Sequence, residues 1–145
     1  MNCLKFVAVA FLLTPVARAQ APDLPPIVRS GLDAYKNGTA ASAMAAWLKG
    51  SPVPEQATPQ ARGALEQIES SYGHMVGYDV LKVVAFGPHA ARSYIVILYE
   101  KGPLYTWFDC FKNGDQWIMT GFLFNTKPDL ILPPTLLEHS TQPPN

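Results

Sequence analysis

The sequence predicts an α+β fold: two or three N-terminal helices packed on a curved, four-stranded antiparallel meander sheet. Three observations carry this. Apolar residues recur at helical spacing as far as Gly73. Beyond Gly73, Val, Ile, Tyr, Phe and Trp dominate and turn signals recur. The chain has 145 residues, 48% of them hydrophobic and 15% charged, which suits one compact core.

The start reads as a targeting segment. Lys5 precedes an apolar run, Phe6 to Leu13, and small residues follow at Ala17 and Ala19. This is the order of a secretory signal cleaved after Ala19, and it places the protein in the periplasm or outside the cell. The run is far short of the ~20 residues that span a bilayer, and no later stretch qualifies, so no membrane span is expected. Cleavage would remove Lys5, Arg18 and Cys3. Nine cations would remain against eleven acids, a net charge of −2. Cys110 would then be the single cysteine, with no intramolecular disulfide to form. A free thiol in an oxidising compartment is expected to be buried.

Residues 20–26 form a Pro-rich lead-in, expected to be flexible, and a single domain is predicted over residues 27–132. The first helix is predicted from Ile27, Val28, Leu32 and Tyr35, closing at Asn37-Gly38. A second, rich in alanine, starts at Thr39 as N-cap. It carries Met44, Trp47 and Leu48 as its apolar stripe and stops at Gly50. A third runs from Thr58 as cap, with Pro59 first in the helix, to Gly73. Its apolar face is Ala61, Leu65, Ile68 and Tyr72. Strands follow near 76–86, 92–100, 103–112 and 115–126. They are joined by Gly87 to Ala90, by Lys101-Gly102 and by Asn113-Gly114, the last a strong two-residue hairpin signal. Residues 133–145 form a Pro-rich tail that either covers the sheet edge or is disordered.

Counting from these turns divides the sheet into two faces. Ser93, Ile95, Ile97, Tyr99, Leu104, Thr106, Phe108, Cys110, Trp117, Met119 and Leu123 share the face expected beneath the helices. Arg92, Tyr94, Val96, Leu98, Glu100, Tyr105, Trp107, Asp109, Phe111, Gln116, Ile118, Thr120, Phe122 and Phe124 share the other. That second face mixes charge with aromatics. It is too apolar for a bare solvated surface, so it is read as an interface. Its candidate residues are Arg92, Tyr94, Tyr105, Trp107, Asp109 and Phe122, and its expected use is a homodimer.

Asp109 has two readings. It is an acid held neutral by apolar neighbours, or a carboxylate paired diagonally with Arg92 and bonded to Tyr94; pairing is the favoured one. Cys110 falls on the opposite face, so the two cannot share a site. His74, His89 and His139 lie far apart in sequence, and no zinc, phosphate-loop, dinucleotide or nucleophile-elbow motif is present. No cofactor, metal or catalytic residue is assigned. The zero net charge of the whole chain gives no footprint for nucleic acid.

The element order, together with the stretches "MVGYDVLK", "YEKGPLYTWFDCFKNGDQWIMTGFLFN" and "FKNGDQWIMTGFLFNTKPD", resembles the nuclear-transport-factor-two-like superfamily. This is the cystatin-like cone fold, and the likeness is to small secreted bacterial members of unassigned activity. The resemblance covers roughly residues 27–130 and implies a cone between helices and sheet. Superfamily isomerases and dehydratases place acids, tyrosines and histidines there. It thereby nominates Tyr35, Trp47, Tyr72, His74, Asp79 and Tyr99 as pocket candidates, with plain core the competing reading. No family catalytic motif is matched residue by residue. Two functions follow. One is a non-enzymatic accessory domain that binds itself, a protein partner or a small apolar ligand. The alternative is a small lyase or isomerase acting on an apolar ligand in the cone. A cavity of ~300 Å³ or more with an inward Asp or His would favour the enzyme.

Overall fold

The computed structural model describes residues 23–54 and 57–139. The targeting segment and residues 20–22 of the lead-in lie outside them. Three helices, α1 (Pro26–Lys36), α2 (Ala40–Trp47) and α3 (Ala57–Tyr72), precede four strands, β1 (Met75–Ala85), β2 (Ala90–Tyr99), β3 (Gly102–Asn113) and β4 (Gln116–Asn125). The sheet order is β1-β2-β3-β4, antiparallel throughout. A 3-10 turn (Pro128–Leu130) and a short helix, α4 (Pro134–His139), follow. The predicted fold class is the observed one.

Each helix buries the face its sequence marks. Val28, Leu32 and Tyr35 of α1 are buried, as are Ala43, Met44 and Trp47 of α2 and Leu65 of α3. Thr39 caps α2, its hydroxyl accepting from the Ser42 N–H at 3.2 Å. Gly31 lets α1 and α2 close: a side chain there would overlap the Trp47 indole. That indole donates to the Val28 carbonyl at 3.1 Å and packs on Phe108 and Phe124. Two boundaries differ from expectation. The third helix is already formed at Ala57, so Pro59 lies inside its first turn, where no intrahelical N–H is required. Leu24, within the lead-in, is buried in the core cluster.

Both tight turns sit elsewhere than predicted. The β2–β3 loop is Glu100-Lys101, with Tyr99 opposite Gly102. Its N–H groups donate to His74 and Tyr72 carbonyls at 3.2 and 2.9 Å, so the turn is seated on the α3–β1 junction. The β3–β4 loop is Gly114-Asp115, with Asn113 opposite Gln116. Gly114 has φ 60°, and Asp115 is not in the left-handed region, which is the II′ pattern. Each register is displaced by two residues. An even displacement keeps every side chain on its face, so Ser93, Ile95, Ile97, Tyr99, Leu104, Thr106, Phe108, Cys110 and Met119 are all buried as expected.

A bulge in β4 breaks that pattern. Cys110 pairs with Met119 but Asp109 with Gly121, leaving Thr120 as the extra residue. From there β4 changes face. Phe122 and Phe124 pack against the core cluster, whereas Leu123 is 46% exposed. The placement of Phe122 and Phe124 on the outer face, and of Leu123 on the inner, is therefore corrected.

Candidate functional site

The cone interior is occupied by its own side chains. Trp47, Tyr35 and Tyr99 are at most 5% exposed. The Tyr35 and Tyr99 hydroxyls share a hydrogen bond of 2.9 Å, and the Tyr35 hydroxyl lies 3.5 Å from the Leu65 carbonyl. Tyr72 meets Tyr99 edge-on. Burial pushes the Tyr35 hydroxyl up to about 12 and raises Tyr99 further still. Both are therefore neutral hydrogen-bonding groups at ordinary pH.

Of the six pocket candidates, Tyr35, Tyr72 and Tyr99 meet in the core, but His74 and Asp79 do not join them. His74 lies on the outside just beyond α3, its side chain 84% exposed, with Nδ1 3.1 Å from a Glu69 carboxylate oxygen. Asp79 is exposed on β1, opposite Val96. The two residues that could have moved a proton in the cone thus point away from it. Ser93, on the inner face, has the one fully buried side-chain oxygen without a partner among the described residues. No group of three His, Cys, Asp or Glu among those residues is placed to hold a metal ion. Cys110 is 2% exposed, and burial, with Asp109 beside it, pushes its thiol up to about 12. A thiol of that kind is a small core hydrophobe and a poor nucleophile.

The outer face is organised in cross-strand rows. One row runs Lys82, Tyr94, Trp107, Leu123; the next runs Val84, Arg92, Asp109, Gly121. Arg92 and Asp109, predicted to be diagonal, lie directly opposite. The guanidinium donates to both carboxylate oxygens, Nε at 2.7 Å and Nη2 at 2.6 Å. The same guanidinium stands 4.3 Å above the Trp107 ring. Asp109 is the leading cause that raises Arg92 above its ordinary value, and Tyr94 adds to it. Gly121 gives the Trp107 ring room to lie across β4, the ring edge 3.6 Å from where a side chain would begin.

Four of the six interface candidates, Arg92, Tyr94, Trp107 and Asp109, therefore form one connected cluster. Tyr105 is two residues along β3, opposite Val96. Phe122 belongs to the core. Val96 is buried outside the core cluster, so the open half of the face is the one around Trp107. Phe111 (45% exposed) and Leu123 border it, and Phe86 (61% exposed), from the β1–β2 turn, helps line a groove of about 360 Å³ beside Arg92 and Asp109. Leu123 and Phe86 were missed by counting. Gly121, a glycine inside an aromatic strand, is the sequence signal of the bulge that exposes Leu123.

No family model matches this chain, and no curated protein matches it. Among solved structures it is similar to an NTF2-like protein of unknown function from Shewanella baltica. The two share 14% identity over 70% of this chain and 89% of that one, with a TM-score of 0.48.

Proposed function

We propose that this chain is a secreted or periplasmic accessory domain without catalytic activity, which works by binding through the outer face of its sheet, and that a second copy of itself is the first partner. The observation that carries the reading is the cluster around Trp107. A large amphipathic ring is held flat by a bidentate Arg92–Asp109 pair and bordered by exposed Phe111 and Leu123. Rigid aromatic and arginine side chains of this kind are the usual anchors of interfaces, because little side-chain freedom is lost when they are covered. The filled cone, with His74 and Asp79 turned outward, supports binding over the lyase or isomerase alternative.

Sedimentation equilibrium on the mature protein tests the self-association. A dimer at about 50 μM that dissociates on dilution, as a micromolar Kd requires, is the expected result. Trp107→Ala should abolish it without altering the fold. A monomer at every concentration would remove the homodimer.

A further inference from the structure

On the helix side, away from the Trp107 cluster, two open grooves meet. One, of about 960 Å³, lies between α1 and the β1–β2 hairpin; the other, of about 770 Å³, lies between α1, the end of α2 and the β3–β4 turn. They share Pro26, Ser30 and Trp117, so together they form one channel along α1 with Trp117 at its middle. Each half falls in the size range of small-ligand sites.

The lining has a distinct chemistry. Arg29 and Asp33 stand one helical turn apart on the first wall, yet they form no ion pair with each other. Lys49, Asp115 and Gln116 line the second half. None of these five side chains, nor Ser30, makes a hydrogen bond or ion pair with any other described group. The Trp117 indole N–H likewise meets no acceptor among the described residues, in contrast to that of Trp47. Trp117 is half-buried, anchored against the core cluster on one side and facing the channel on the other.

This pattern narrows the ligand. Side chains of both signs, Arg29 and Lys49 beside Asp23, Asp33 and Asp115, line the channel, which disfavours a polyanion or a polycation. Unused donors and acceptors disfavour a purely apolar chain, since covering them unpaired costs free energy. The channel runs along α1 and meets the edge strands only at Ala85 of β1 and Gln116–Ile118 of β4, so an extended peptide has only a short ladder to join. A linear polyol satisfies all three conditions. Its hydroxyls each donate and accept, matching Arg, Asp, Gln and Ser. The C–H faces of its rings fit the negative face of an indole. We propose that this channel is a binding site for a neutral linear oligosaccharide, with Trp117 as the stacking platform and Arg29, Asp33 and Gln116 as flanking hydrogen-bond partners.

The test is calorimetric titration of the wild-type protein with chito-, cello- and malto-oligosaccharides of two to six sugars, with a proline-rich decapeptide as comparison. Saturable binding to one series is expected, tightening about tenfold from disaccharide to hexasaccharide as the second half of the channel fills. Trp117→Ala should weaken it several-fold, up to about tenfold, by the loss of one stacking contact. Because Trp117 also touches the core, Arg29→Ala and Asp33→Asn serve as exposed variants, each expected to weaken binding several-fold with unchanged melting. Trp107→Ala should leave sugar binding intact even where it abolishes the dimer. The proposal is overturned by the absence of saturable heat with all three series, by binding that survives Trp117→Ala and both exposed variants, or by binding of the peptide alone.

Discussion

Replacing Gly31 by alanine tests how the helices are seated on the sheet. Alanine in a helix interior is normally favourable over glycine by about 1 kcal/mol. At Gly31 the added methyl overlaps the Trp47 indole, which is wholly buried and fixed on three sides. Its N–H bonds Val28 at 3.1 Å, and its ring packs on Phe108 and Phe124 at 5.0 and 5.9 Å between centroids. Forcing it aside costs about 2 kcal/mol of overpacking and about 1 kcal/mol for the strained hydrogen bond. Set against the propensity gain, the net loss is about 2 kcal/mol, or about 8 °C in Tm for a domain of this size. Gly63 in α3 is the control, because nothing lies within 4 Å of a methyl group there. Gly63→Ala should raise stability by up to about 1 kcal/mol. Urea unfolding of both variants measures the contrast. If Gly31→Ala were as stable as Gly63→Ala, the close approach of α1 to Trp47 would be wrong.

Other outcomes follow from the buried polar groups. Tyr35→Phe and Tyr99→Phe should each destabilise by about 1 kcal/mol, and a double-mutant cycle should return a coupling of about 0.5–1.5 kcal/mol for their shared hydrogen bond. Cys110 and Tyr35 are raised in the folded state from ordinary values of 9.0 and 10.0 to about 12. The stability they contribute is therefore complete below about pH 9 and is lost as pH rises through about 12. Urea unfolding across that window should show the decline, and Cys110→Val should make it shallower. A thiol reagent at neutral pH should label Cys110 only on unfolding; rapid labelling of the native protein would contradict its burial. Asp109→Asn should cost about 1 kcal/mol or less, diminishing in salt, because the pair with Arg92 is a third exposed.

The fold was legible because its signals are redundant: helix caps, an alternating strand pattern and glycine turns all agree. The faces of β2 and β3 survived a wrong register because both turns were displaced by two residues, and alternation is blind to an even slip. β4 was legible only as far as Met119. Beyond it, one extra residue, Thr120, reversed the pattern and moved Phe122 from the predicted interface into the core. Leu24 escaped notice because prolines around it mark a loop, and periodicity says nothing about a single apolar residue anchored outside an element. The exposed positions of His74 and Asp79 depend on where α3 ends and how β1 pairs, which no local pattern encodes. The Arg92–Asp109 pair was foreseeable from shared face and proximity, but its direct opposition required the true turn.

The three tryptophans sit in three distinct settings: Trp47 in the core, Trp107 on the outer face and Trp117 in the channel along α1. Fluorine NMR of the protein carrying 5-fluorotryptophan therefore reads the binding claim residue by residue. Concentrating the sample from about 5 to 200 μM, a range that brackets a micromolar Kd, should shift the Trp107 resonance and leave the other two in place. Three resonances that do not move with concentration would contradict association through the Trp107 face.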